Sequence, residues 1–240
     1  MVPTCRPGSV PTDGVRRGER NTDHPAADRA EAPSSDAGHQ WDARYAKAGY
    51  AYGTAPNTFL TSVAHHLPPG RVLSLGEGEG RNATYLAAEG WNVHCVDASA
   101  VGLDKALRLA AGAHVTITTE VVDLAEYDID PAAWDGIVSI FCHLPPAARR
   151  RLHHQVVRGL RPGGVLILEA YTPQQLAYGT GGPPVADLLV TLDELRSALD
   201  GLDFVIAHEL ERDVLEGRLH VGRSAVVQIV GMKHDPAARS

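Results

Sequence analysis

The chain is short of most residues that build specialised sites. Its 240 residues include three cysteines, two methionines, three lysines and an aromatic fraction of 5%. Cys5, Cys95 and Cys142 are odd in number and lack metal-ligand spacing, which argues against a disulfide framework or a zinc site. A reducing, cytoplasmic setting is expected. No apolar run approaches the ~18 residues of a membrane span, and the N-terminus has no apolar secretory centre. The formal charge of −7 excludes a nucleic-acid binder that relies on a broad basic surface. Positive charge is almost all arginine, Lys47, Lys105 and Lys233 being the only lysines. No metal ligands are predicted: His65-His66 and His153-His154 are adjacent pairs that face different sides of a helix.

The chain length suits one well-buried α/β domain. Residues 1–38 are rich in Pro, Gly, Ala, Asp and Arg with hardly a large apolar residue, so they are read as a disordered tail. The domain is predicted over 39–233, with 39–70 an aromatic cap and 234–240 a C-terminal tail. Trp41, Tyr45, Tyr50, Tyr52 and Phe59 concentrate much of the sparse aromatic content in that cap. Such a segment serves either as an edge-packing cover or as a lid that excludes water from a site.

What is present in strength is the stretch 71–97, RVLSLGEGEGRNATYLAAEGWNVHCVD. A short apolar strand runs into Gly76, Gly78 and Gly80, then a helix-period run, then a second strand ending on Asp97. Strand, glycine turn, helix, strand and acid in this order form half of a nucleotide-binding fold. Glycines let a ligand approach the backbone, and the helix N-terminus offers free N–H groups. The spacing departs from the dinucleotide pattern, because the third glycine comes one residue early and Arg81 takes a place that a pyrophosphate needs small.

Further strands are predicted over 115–122 (ending at Asp123), 137–141 and 165–169, with helices over 101–111 and from Pro145-Pro146 through Leu160. A Pro-Gly-Gly turn precedes the fifth strand. Strands alternating with helices argue for a doubly wound, mostly parallel sheet with helices on both faces. Two last strands, 204–211 and 224–230, joined near Gly217, suit an antiparallel pair. The carboxyl edge of such a sheet, where ligands bind, gathers the glycine turn, Asp97, Asp123, Phe141 to His143 and Tyr171. The Gly/Pro-rich segment 172–184, with Tyr178, is too long for a plain connection and is read as a substrate-side loop.

The set LSLGEGEGRNATYLA, VDAS, VDL, WDGIVSIF and LRPGGVLIL resembles the class I S-adenosylmethionine (SAM)-dependent methyltransferases over about residues 70–170. YGTAPNTFL ahead of it and YTPQQLAYGTGGP behind it are similar to the tellurite-resistance, TehB-type branch, whose style is that of thiopurine methyltransferases acting on small, soft nucleophiles. The resemblance implies a seven-stranded Rossmann-like methyltransferase sheet, SAM as cofactor and S-adenosylhomocysteine (SAH) as product. It places Gly76, Glu77 and Gly78 under the methionyl part with Arg81 and Asn82 near it. Asp97 takes the ribose, Ala98 packs on the adenine, and Asp123 with Leu124 reads its edge. Phe141 borders the methyl group, as does His143, the candidate general base for an alcohol or phenol. Trp41, Tyr45, Tyr52, Tyr171 and Tyr178 are the expected substrate contacts. One departure is Ser74, where many class I enzymes carry an acid.

The expected activity is therefore methyl transfer to a small molecule, with a soft thiol or chalcogen as one acceptor type. The partner is that small molecule, with no nucleic acid and no membrane, and the chain acts as a monomer or homodimer. Two other readings stay open: a non-catalytic SAM-binding regulatory module, and a nicotinamide-dependent oxidoreductase, against which the glycine spacing speaks.

Overall fold

A computed structural model of the chain describes Met1 and residues 36–235. The predicted tail, 1–38, lies outside those residues except for Met1 and its last three, which form the start of helix α1 (Asp36–Tyr45). The predicted C-terminal tail lies outside them from residue 236.

The core is a seven-stranded sheet of order β3-β2-β1-β4-β5-β7-β6. β1 (Arg71–Leu75), β2 (Asn92–Asp97), β3 (Thr118–Val121), β4 (Trp134–Ile140) and β5 (Leu160–Tyr171) are parallel. β6 (Leu202–Glu216) and β7 (His220–Lys233) form an antiparallel hairpin whose second strand joins β5. The strand order reverses at β1 and β4, which makes a ligand crevice at their carboxyl ends.

Alternation along the strands divides the core. Leu73, Ile137 and Leu166 face α5 (Pro146–Gly159) and α6 (Leu192–Ala198). Val72, Val138, Val165 and Ile167 face α2 (Thr58–Val63), α3 (Arg81–Ala88) and α4 (Ala100–Gly112). Both faces are covered, which explains the nearly continuous apolar runs in the central strands. Among the described residues, no helix is long and apolar enough to cross a membrane.

Several predicted elements differ in extent, β3 among them at Thr118–Val121 rather than 115–122. Residues Asn57 to His66 form α2, capped by the Asn57 side chain on Leu60 N–H at 2.8 Å, and a 3-10 turn at Ala64–His66. Strand pairing in β5 begins at Leu160, because the Pro-Gly-Gly turn is absorbed as an irregularity opposite Trp134 and Gly136. β6 and β7 run well past 211 and 224 at the tip end, since cross-strand pairing continues from Glu211↔Ala225 to Glu216↔His220. That extension carries the hairpin tip to the site.

Candidate active site

The glycine turn is held by contacts that a side chain would break. Gly76 has φ 65° and Gly78 φ 64°, where L residues are strained. A Cβ on Gly78 would lie 2.6 Å from the Tyr45 hydroxyl oxygen, and one on Gly76 would lie 2.9 Å from Cys142 Sγ. Glu77 is buried and acts as the cap of α3, its Oε1 accepting from Asn82 N–H (3.1 Å) and Ala83 N–H (3.0 Å). The Ser74 hydroxyl donates to the other oxygen. Glu77 thus brings its carboxyl group onto the Ser74 side chain at the end of β1.

Asp97, at the end of β2, accepts Gly78 N–H and Ser99 N–H, each at 2.8 Å. Burial, the largest cause, raises its pKa to about 6, against the pull of those two N–H groups. Ser99 in turn caps α4 through Gly102 N–H and donates to Asp42 at 2.5 Å. The first turn of the sheet edge and helix α1 are thereby tied together.

Two adjoining cavities open on this edge. The larger holds about 740 Å³ and the smaller about 50 Å³, and both are bordered by Tyr45, Tyr52, Gly76, Phe141 and His220. Such a volume lies within the ~300–1,000 Å³ usual for small-molecule sites. Glu77, Arg81 and Asn82 line the small cavity. Trp41, Asp97, Ala98, Asp123, Leu124 and His143 line the large one. Gly78 stands one layer back, as the donor to Asp97.

Two expected substrate contacts lie elsewhere. Tyr171 is fully buried behind Phe141, their ring centres 4.5 Å apart, and borders neither cavity. Tyr178 sits beside Glu211 and Arg223 on the hairpin and also borders neither. Tyr171 belongs to a supporting layer, stacked on His143 at 5.6 Å. The segment after it does reach the large cavity, but through Gly181 to Pro184 rather than Tyr178.

Sequence reasoning missed the hairpin tip. His220 borders both cavities, with ring centres 4.5 Å from Tyr52 and 4.9 Å from Phe141. Arg218 and Leu219 also line the large cavity. Gly217 wedges against the strap at residues 52–53, where a Cβ would meet the Tyr52 carbonyl carbon at 2.3 Å. Beneath the tip lies a buried polar network. Arg81 pairs with Glu216 at 2.5 Å, and Arg212 reaches Glu216 at 3.3 Å and Glu169 at 2.7 Å. Asn57 donates to Glu169 (2.6 Å) and Glu216 (2.9 Å), and Gln228 donates to Glu169 (2.7 Å). No local pattern marks these residues. The one hint was the Gly217 turn between two apolar runs.

Phe141 has φ +53°, a conformation that costs a non-glycine residue about 1–3 kcal/mol. It is held by its N–H to the Glu169 carbonyl at 2.8 Å. The strained turn points its ring at the junction of the two cavities. Next to it, the Cys142 thiol is pushed up to about 12 by burial, so it is no thiolate nucleophile at neutral pH. Burial lowers His143 to about 4 and His220 to about 3. The Leu188 carbonyl can only accept, so the 3.2 Å contact places the His143 proton on Nδ1 and leaves Nε2 as an acceptor. Both imidazoles are neutral at pH 7.

Residues 72–164 match a family model described as a methyltransferase domain. No curated protein matches the chain. Among solved structures, one described as "Conversion of a Disulfide Bond into a Thioacetal Group during Echinomycin Biosynthesis" superposes with a TM-score of 0.68 at 18% identity, covering 84% of this chain and 94% of that one. TehB from Haemophilus influenzae gives 0.61 at 18%, covering 82% and 66%. The [4+2]-cyclase SpnF gives 0.62 at 15%, covering 82% and 95%, a reminder that this fold hosts more than one reaction. The family match spans the glycine turn and the strands β1 to β4, and the sheet has the fold of structures described as SAM-dependent methyltransferases.

Proposed function

We propose that this SAM-dependent methyltransferase transfers the sulfonium methyl to a sulfur atom of a small molecule. The observation that carries the reading is a roomy cavity beside the glycine turn whose histidines are weak proton acceptors. A thiolate needs no base, whereas an alcohol or phenol does. Imidazoles held near 4 and 3 take a proton poorly at neutral pH. The likeness to a structure described by a disulfide-to-thioacetal conversion, and to TehB, supports sulfur or a heavier chalcogen as the acceptor.

The residues fit the cofactor. Arg81 is 7% exposed, its Nη2 pairs with Glu216, and its Nη1 has no partner among the described residues while lining the small cavity. An unpaired buried donor is costly unless a ligand completes it, and a methionyl carboxylate does so. Asp97 keeps lone pairs for ribose hydroxyls beyond the two backbone donors it already serves. Asp123, with Oδ1 on Ala125 N–H at 2.9 Å, presents its other oxygen to an adenine amine. Ala98 and Leu124 supply the apolar walls of that end.

SAM bound there supplies an activated methyl group whose sulfonium charge is lost as transfer proceeds. The chain's part is placement and exclusion of water. Phe141, Tyr45 and Tyr52 wall the junction where nucleophile and methyl meet, and in-line orientation alone is worth on the order of 7–11 kcal/mol in favourable cases. His143 Nε2 can accept a hydrogen bond from a donor group of the substrate other than the reacting sulfur, which orients it without any proton transfer.

Calorimetry with SAM, SAH and NAD, followed by mass spectrometry of a thiol, selenol and phenol panel, tests the reading. Micromolar SAM and SAH binding, silence with NAD and a methylated thioether are expected. A folded chain that ignores SAM sinks the reading altogether. Turnover of phenols but no thiols refutes the sulfur acceptor, and SAM binding without any turnover points to a regulatory module.

A further inference from the structure

The large cavity is electrically lopsided. Its two lining acids, Asp97 and Asp123, sit together at the tips of β2 and β3 and accept backbone N–H groups there. Its lining cations, Arg44, Lys47 and Arg218, come from helix α1, the loop after it and the hairpin tip. Among the described residues, none of the three has an ion-pair partner, in a chain whose formal charge is −7. The acids nearest the strap are engaged elsewhere. Asp42 accepts the Ser99 hydroxyl and Val101 N–H, and Glu79 accepts the Lys105 ammonium and Ala51 N–H.

The Arg44 head group is held in place, and the backbone that carries Arg218 and Lys47 is fixed. Arg44 donates from Nη1 to the Tyr52 hydroxyl at 2.7 Å, and its guanidinium carbon lies 4.6 Å from the Trp41 ring centre. Arg218 is anchored by its own N–H to the Ala51 carbonyl at 3.0 Å. Lys47 lies in a loop whose carbonyl accepts from Lys105 at 2.9 Å. A pre-positioned guanidinium loses little freedom on binding an anion. Arg81, next to the glycine turn, already serves the carboxylate expected of the cofactor, so these cations are left for a second anion.

We infer that the methyl acceptor is a small organic anion. Its apolar body lies along Trp41, Tyr45 and Phe141, and its carboxylate or phosphate, remote from the methylated atom, is received by Arg44, Lys47 and Arg218. The inference rests on the methyl-transfer reading above and names the substrate class of that site. The cationic rim draws such acceptors in and sets their polarity in the cavity, with the sulfur end toward Phe141. Neutral and cationic analogues of equal shape lose that contact.

The test is calorimetry of the full chain saturated with SAH, against three aryl thiols that differ only at the far end: 4-mercaptobenzoate, 4-mercaptophenyl phosphate and 4-mercaptobenzamide. At least one anion is expected to bind about tenfold tighter than the amide, the worth of one charge-assisted contact. The advantage should shrink with added salt, and comparison of the two anions tells carboxylate from phosphate. A Lys47→Gln/Arg218→Gln variant, altered only at exposed side chains, is expected to lose the preference while its SAH affinity stays within about twofold. Equal binding of all three thiols by SAH-loaded protein overturns this inference alone. A tenfold loss of SAH affinity in the variant also overturns it, by assigning the rim to the cofactor. A folded chain that binds no SAH overturns this inference and the proposed function together.

Discussion

The parallel half of the sheet and the antiparallel hairpin contribute to the site in opposite ways. β1, the glycine turn, α3 and β2 deliver Gly76, Glu77, Asp97 and Ala98 within some twenty-five consecutive residues, each placed by its immediate neighbours. The hairpin delivers Arg212, Glu216, Arg218 and His220 across a long sequence gap, and each is placed by what it meets in space. The first kind of contribution builds the proposed cofactor platform from local sequence. The second kind closes the platform and shapes what else fits there.

Glu216→Ala should have the largest effect on this division. It strands the buried Arg81 guanidinium and removes one of Arg212's two acids, at a cost of about 3–5 kcal/mol. A fall in Tm on the order of 6–20 °C is expected. A Tm within a degree or two of wild type in a calorimetric scan would mean that the hairpin tip is not fastened as described. Asp97→Ala, on the platform side, should cost the fold less than that and weaken SAH binding by at least about a hundredfold, two charge-assisted hydrogen bonds to the ribose being worth ~1.5–3 kcal/mol each. Titration calorimetry reads that directly, and an unchanged affinity would remove Asp97 from the cofactor site.

Asp97 and the buried histidines should also differ in pH response. Asp97 is raised from 3.8 to about 6, so the folded state is relatively stabilised by its protonated form and that advantage fades as pH rises through this window. SAH affinity should rise over the same interval, because ribose hydroxyls donate to the ionised carboxylate. His143, His153 and His220 are lowered from 6.5 to about 4, 4 and 3 by burial. Their contribution to stability is complete above about 6.5 and is lost as pH falls toward 4. His153 lies on α5 and lines neither cavity. His153→Gln should therefore flatten the acid limb of the stability curve while leaving the pH dependence of SAH affinity as it was. The smallest effect expected is that of Tyr178→Phe, which should alter SAH affinity by less than about 0.5 kcal/mol. A larger loss would bring the segment 172–184 into the site through its aromatic side chain after all.

The same contrast explains what the sequence disclosed. The order of elements, the glycine turn and the acid after β2 were readable because strand, turn and cap preferences act over a few residues. Asp97, Asp123, Phe141 and His143 were found by one rule, that ligands gather at carboxyl ends of parallel strands. That rule also put Tyr171 on the edge, where it is buried instead, since residue position along a strand does not say which layer a side chain enters. The role of Glu77 was half visible: Ser74 stood out as a departure, but the carboxyl group that meets it three residues later was not anticipated. His220 and Glu216 were invisible, because cross-strand register and hairpin length depend on pairing that no local pattern encodes.

Arg81 and Glu216 are separated by 135 positions, which gives the site a history as well as a shape. A chain emerging from the ribosome presents its glycine turn early, with the guanidinium still lacking its carboxylate and the roof unmade. The cofactor pocket is finished only when the final hairpin arrives, so completion of the fold and readiness to bind are a single event in the life of each molecule.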